Sequence, residues 1–184
     1  MRVSEKAIVL QAVRHGDKRY ILKLYTRHHG LLTAIASAGR TPASKIKSSA
    51  VMPLSFLSCE LIVKQNREIQ MMTEATTYLQ LPEISGSISK LSIAQFLNEV
   101  LLKSLKEHQG NDHLFDLIEN NFRYLNDAEG DFANMHLYFL LELAGMLGFE
   151  PQNNYSAAAP YFDCREGSFN TLSLAFPLGL SRDE

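Results

Sequence analysis

The chain has no tryptophan and only two cysteines, Cys59 and Cys164, 105 positions apart. Two thiols so separated make neither a disulfide framework nor, by themselves, a zinc site, so the composition fits a reducing, cytoplasmic setting. Long apolar runs are also missing. No stretch approaches the roughly 18 uncharged residues of a membrane span, and Met1-Arg2-Val3-Ser4-Glu5-Lys6 has no apolar segment behind a basic start, so neither a span nor a signal peptide is expected. Glycine and proline number 10 and 6 in 184 residues, without a repeat or a low-complexity tract, which excludes collagen and disorder. A glycine-rich phosphate loop, a nucleophile elbow and paired carboxylates are all absent. The sequence therefore nominates no catalytic residue and no cofactor.

Acidic residues are scarce in one part of the chain only. Residues 1–82 hold 12 Lys/Arg against 5 Asp/Glu, a net of +7, whereas residues 83–184 hold 6 against 15, a net of −9. A basic surface attracts polyanions and an acidic one repels them, so two modules with different partners are expected.

Hydrophobic periodicity divides the chain at the same place. Residues 7–13 are apolar except Gln11, residues 19–26 alternate with a period of two, and residues 31–38 are small or β-branched; further strand patterns cover 51–64 and 68–77. Turn signals separate them at His15-Gly16-Asp17, Arg27-His28-His29-Gly30 and Asn66-Arg67. Five short strands in about 75 residues point to a small barrel, either the nucleic-acid-binding OB type or an SH3-like one. Val9, Leu22, Leu24 and Ile35 are its expected core. From Ser87 the period becomes helical: Leu91, Ala94, Leu97, Leu101 and Leu105 form one set, and Leu114, Ile118, Phe122 and Leu125, capped by Asn111, form another. Residues 132–147 are apolar nearly all round, which predicts a helix at the centre of a bundle, ended by Gly148 and Pro151. Residues 152–184 read as short irregular pieces, with Tyr155, Tyr161, Phe162 and Phe169 as anchors. The fold class is α+β, a five-stranded barrel over 1–82 followed by an all-α module over 83–184.

Alternation on the second strand puts Arg19, Ile21, Lys23, Tyr25 and Arg27 on one face and Tyr20, Leu22 and Leu24 on the other. Cations with a ring among them suit single-stranded nucleic acid, charge for phosphates and Tyr25 for stacking. The loop over residues 39–49 adds Arg40, Lys45 and Lys47 without an acid and reads as a loop with no core to serve. Together with Arg14 and Lys18 these side chains predict a nucleic-acid surface, without distinguishing DNA from RNA. The alternative is a solvated, charged sheet face. Histidines 28 and 29 have no ligand at metal-site spacing and read as a turn pair, and Asp163, Cys164 and Glu166 have no thiol or imidazole nearby; no metal is expected. In the helical part Lys90, Lys103, Lys106 and Arg123 are the only cations.

The motifs Ala7-Ile8-Val9-Leu10, Leu24-Tyr25-Thr26-Arg27-His28-His29-Gly30-Leu31-Leu32, Ala36-Ser37-Ala38-Gly39-Arg40, Leu114-Phe115 and the run from Phe139 through Gly148-Phe149-Glu150-Pro151 occur in one order and spacing. Together, over residues 1–151, they resemble the bacterial recombination mediator family RecO. The resemblance implies an OB-fold amino-terminal domain, a helical carboxy-terminal domain and a non-enzymatic role in recombinational repair. It implies binding of single- and double-stranded DNA, strand annealing, and action with RecR to load RecA on DNA coated by SSB. The acidic SSB tail would then dock on the second module through Lys103, Lys106 and Arg123. Many members carry four zinc-finger cysteines after the motif ending here at Pro151, where this chain has only Cys164, and members continue past a point like Glu184. A zinc-free, shortened member is therefore expected. Outside that resemblance, the competing reading is an RNA- or protein-binding barrel on a helical scaffold unrelated to repair, with an enzyme of unrecognised type a third.

Overall fold

A computed structural model describes residues 1–64, 66–106, 110–172 and the backbone of 179–180. It begins with five strands, β1 (Arg2–His15), β2 (Arg19–Thr26), β3 (Gly30–Ser37), β4 (Phe56–Ile62) and β5 (Ile69–Leu79), closed into a barrel in the order β1-β2-β3-β5-β4. The helices α1 (Pro82–Gly86), α2 (Ile88–Ser104), α3 (Asp112–Asp127) and α4 (Met135–Met146) follow, and then the short strands β6 (Tyr161–Asp163), β7 (Ser168–Asn170) and β8 (Gly179–Leu180). Element type changes between Leu79 and Pro82, while the chain divides into compact units at residues 1–132 and 133–184. Among the described residues no helix is long and apolar enough to cross a membrane.

The barrel closes because β1 serves two neighbours. Its first half pairs with β4, Arg2 opposite Ile62 and Ile8 opposite Phe56, and its second half with β2, Ala7 opposite Thr26 and His15 opposite Arg19. That is why the strand starts at Arg2, ahead of the apolar run that marks it in the sequence. A bulge between Val9 and Gln11 shifts the register. It returns Ala12 to the inside opposite Leu22, after Val9 has met Leu24. The interior holds Val9, Leu22, Leu24, Leu57, Leu61 and Met72.

Three expectations about the barrel change. Ile35 is not in the core: Ala34 and Ala36 point inward on β3, and alternation turns Ile35 out. Residues 51–55 are turn rather than strand, with Leu54 at φ 67°. Leu54 N and Val9 N bond across to Val9 O and Ser55 O, at 2.8 and 2.9 Å. The loop after β3 does serve the core, because Ile46 bridges to Ala75 and is 2% exposed.

Helices α2 and α3 start where capping chemistry puts them. Ser87 Oγ accepts from Lys90 N, and Asn111 Oδ1 accepts from Leu114 N at 3.1 Å. α3 then lies on the barrel. Phe115 stacks near-parallel on Tyr25 with centroids 6.2 Å apart, and Phe122 packs 5.7 Å from Phe56. Tyr78 donates its hydroxyl to Glu119 Oε2 at 2.6 Å, and Arg123 grips the other oxygen at 2.6 and 3.1 Å. Ahead of α3, Gly110 passes so close to the β2–β3 turn that a Cβ would lie 2.2 Å from the His28 carbonyl carbon. Only glycine fits there. On α2, Asn98 Nδ2 donates to Leu10 O at 2.9 Å.

In the second unit α4 is buried only at Met135, Phe139 and Leu143, a single stripe four residues apart, while Leu137, Tyr138 and Leu141 are more than half exposed. This replaces the expected helix buried on several sides at the centre of a bundle: a run apolar nearly all round in sequence has one covered face. Gly148 ends the helix with φ 81°. The tail, read as irregular and as part of an all-α module, contains a sheet ordered β7-β6-β8. Phe169 contacts Tyr155 and Phe162 at 5.4 and 5.0 Å, and among the described residues Tyr161 joins no such ring pair.

Two measurements check this arrangement. By denaturant titration, Leu22→Ala should cost about 2–5 kcal/mol as a buried cavity, and Ile35→Ala under about 1 kcal/mol as a surface change; equal costs would contradict the register. The second concerns pH. Burial pushes the Glu119 carboxyl up, but the bonds from Tyr78 and Arg123 outweigh it and hold the group below its usual range; burial and then Glu119 push the Tyr78 phenol well above its own. The depressed carboxyl stabilises the fold above the unfolded value of about 4.3 and that support is lost as pH falls; the raised phenol stabilises it below about 10 and that is lost as pH rises. Unfolding midpoints followed against pH should therefore show a flatter acid limb in Glu119→Gln and a flatter alkaline limb in Tyr78→Phe than in the wild type. Limbs superimposing on the wild type would remove the pair from the linkage.

Candidate nucleic-acid interface

Because α3 covers Tyr25, Phe56 and Tyr78, the outer barrel surface that stays open runs over the start of β2 and its neighbours. Pairing lays its side chains out in rows. Val13 is opposite Ile21, Ile21 opposite Ile35 and Ile35 opposite Met71, so four apolar residues line up across β1, β2, β3 and β5. One row away, Gln11, Lys23, Thr33 and Ile69 are register partners in the same way, and on the other side Arg19 sits between His15 and Ser37. Val13, Ile69 and Met71 are 51, 46 and 47% exposed, an apolar content that solvent alone does not favour.

The turns at the two ends add charge. At the β1–β2 turn Arg14 donates to Gly16 O and Asp17 O, at 3.2 and 3.1 Å, leaving Lys18 projecting. At the β4–β5 turn the Gln70 amide clamps the backbone. It accepts from Lys64 N at 2.8 Å and donates to Lys64 O and Arg67 O at 3.2 and 2.6 Å, so that Lys64 and Arg67 stand out into solvent. A groove of about 730 Å³ beside this turn is lined by Lys23, His29, Thr33, Lys64, Arg67 and Gln70, among others. Lys18, Arg19, Lys23, Arg40, Lys64 and Arg67 are exposed and make no ion pair with any described residue. Only Asp17 and Glu68 bring negative charge to the same turns.

Several residues singled out by the sequence do not stand on this open face. Tyr25 is 2% exposed beneath Phe115, so its ring is closed to a base. Arg27 lies 4.8 Å over the Phe115 ring and pairs with Asp116 and, at 3.4 Å, with Asp112. Burial opposes its charge, yet Asp116 and Asp112 raise the guanidinium above its ordinary value. Arg14 is spent on its own turn. Lys45 is bound to Glu74, which it holds below the usual carboxylate range, and Lys47 Nζ donates to Thr41 O and Pro42 O, each at 2.8 Å. Of that loop's cations Arg40 alone has no such partner among the described residues. Arg19 and Lys23 stand where alternation puts them. Of the cations expected to meet an acidic peptide, Lys103 pairs with Glu99 at 2.8 Å and Arg123 with Glu119, which leaves Lys106, exposed just past α2.

Sequence reasoning missed Lys64 and Arg67; an Asn-Arg turn between strand patterns signals a hairpin, but closure of the barrel decides which face it joins. It also missed Glu5. This carboxylate, 4% exposed, meets His29 Nδ1 at 2.5 Å and His28 Nδ1 at 3.2 Å, so the turn pair is bolted to β1.

Two comparisons bear on this arrangement. The domain family described as Recombination protein O N terminal matches residues 1–79, and the one described as Recombination protein O C terminal matches residues 85–160. A DNA repair protein RecO of Azobacteroides pseudotrichonymphae is 32% identical over 169 residues, 92% of this chain and 70% of that protein. One of Flavobacterium johnsoniae is 33% identical over 172 residues, 92% and 71%, and one of Chlorobium phaeobacteroides 32% over 151 residues, 82% and 58%.

The position of Arg27 has a measurable consequence. Arg27→Ala should lower stability by about 1–3 kcal/mol, through the lost ring and carboxylate contacts, and leave the salt dependence of nucleic-acid binding unchanged. A shallower salt slope at unchanged stability would return Arg27 to the interface.

Proposed function

The chain belongs to the RecO family of DNA repair proteins, and on that premise we propose that it binds DNA through the open barrel face and acts as a recombination mediator. The observation that supports this is the set of exposed cations that form no ion pair with a described residue, Lys18, Arg19, Lys23, Arg40, Lys64 and Arg67, flanking an apolar row. Phosphates supply most of the affinity for such a surface, and the apolar side chains between the cations lie along the sugar-phosphate backbone. The ligands are single- and double-stranded DNA. The protein anneals complementary strands and, with RecR, helps RecA onto SSB-coated DNA in the cytoplasm. No covalent chemistry and no cofactor enter this role. The acidic tail of SSB is assigned to the helical part, with Lys106 as the cation open to it.

Fluorescence anisotropy of a labelled single strand, repeated across salt concentrations, tests the face. Each lost phosphate contact reduces the log–log salt slope by about 0.7. Arg19→Ala, Lys23→Ala and Arg67→Ala combined should thus flatten it by about 2 and weaken binding to all sequences alike. Lys45→Ala with Lys47→Ala should leave it unchanged. The reverse pattern would move the site from the strand face to the loop.

A further inference from the structure

Among the described residues the open face offers charge and aliphatic surface, and its central row has no aromatic ring. Its central row is Val13, Ile21, Ile35 and Met71, and the rows beside it carry Gln11, Lys23, Thr33 and Ile69, and His15, Arg19 and Ser37. The tyrosines of β2 are both withdrawn from it. Tyr25 stacks on Phe115 under α3, and Tyr20 is packed against the barrel core. The chain contains no tryptophan. Of the imidazoles nearby, His29 is held by Glu5, and His15 lies at the end of β1 outside the central row.

From this we infer that the barrel face holds a single strand by its phosphates alone, with the bases unstacked from the protein and free to pair. The inference rests on the DNA-binding reading above and says how that binding is done. An aromatic platform captures each base at about 1–3 kcal/mol, and a base so captured must be released before it meets its complement. Aliphatic side chains have no π-face to offer. Lys18 and Arg19 toward one end of β2, and Lys23, Lys64 and Arg67 toward the other, draw the backbone onto the sheet from both sides of the apolar row. Base edges then stay outward and a second strand reaches them without displacement of the first. Ile35 is the residue that sets this behaviour: it sits at the middle of the row, between Ile21 and Met71, half-buried and turned out of the barrel.

The test uses the whole protein and a single-stranded oligonucleotide carrying 2-aminopurine. With wild type at saturation, the emission of the probe base should match that of the free strand, and the complementary oligonucleotide should anneal to the bound one. Ile35→Trp installs the missing platform, and the new indole is the only one in the chain. It should be quenched by the strand, tighten binding by about 5-fold to 150-fold, the equivalent of one stacked base, and slow annealing while the salt slope stays as in wild type. Met71→Trp, one strand over, gives the same comparison if the first variant does not fold. Stacking-type quenching of the probe base by wild type, or tryptophan variants that bind and anneal as wild type does, would overturn the inference while leaving DNA binding intact. Failure of the wild type to bind the strand at all would overturn the DNA-binding reading, and this inference with it.

Discussion

The contact on which the rest depends is the seating of α3 on the barrel. Phe115 and Phe122 cover Tyr25 and Phe56, and Glu119 takes the Tyr78 hydroxyl and the Arg123 guanidinium at the edge of that apolar patch. Ring burial supplies the gain and the hydrogen bonds fix the orientation, since a buried carboxylate tolerates only a pose in which its lone pairs are used. A barrel has no free edges, so what distinguishes one side from another is which outer residues are covered. Ile8, Leu10, Tyr25 and Phe56 are fully or nearly fully buried although they lie outside the cluster that fills the barrel. The open face is what α3 leaves over.

The same contact changes the meaning of the charge asymmetry. The excess of acid beyond residue 82 is partly consumed inside the first unit, where Asp112 and Asp116 bind Arg27, and Lys6 adds to the field that keeps Glu119 charged. Lys6 also lies 4.7 Å over the Tyr78 ring. Opposite charge on the two segments thus works first as an internal attraction and only then as a surface for other molecules. Arg19 and Lys23, which escape this pairing, stand on β2 in the rows beside its open apolar residues, which sharpens the contrast between the two surfaces.

Much of the fold was legible because it is locally encoded. The bounds of β2, its inward Leu22 and Leu24, the change of period at Ser87 and the cap at Asn111 follow from alternation and from side chains that bond to nearby backbone. Ile35 was misplaced because period two identifies two faces without saying which is inside, and on β3 the inner face is alanine. Tyr25 and Arg27 were correctly put on the outer face of β2, but the covering partners lie 85 or more residues onward and no local pattern names them. Ile46 shows the complementary failure: one apolar residue in a basic loop carries no period, yet it fills the barrel. Glu5 met His28 and His29 through strand pairing alone, at a separation where spacing rules for metal or turn motifs are silent. The all-round apolar run of α4 showed composition but could not show that only one stripe of it is covered.

The double pairing of β1 bears on how the chain reaches this state during synthesis. Residues 7–15 find their partner at once in the next strand, but Arg2 has no neighbour until Ile62 emerges, and the intervening hairpin and loop must be held in place meanwhile. Closing a ring across some sixty residues costs more chain entropy than closing a hairpin, so barrel closure comes late and the amino-terminal half of β1 waits as an unpaired strand. For that interval the nascent protein displays an open edge that the finished one lacks, and Arg2, Glu5 and Lys6, interspersed along it, are charges that discourage another chain from adding there first.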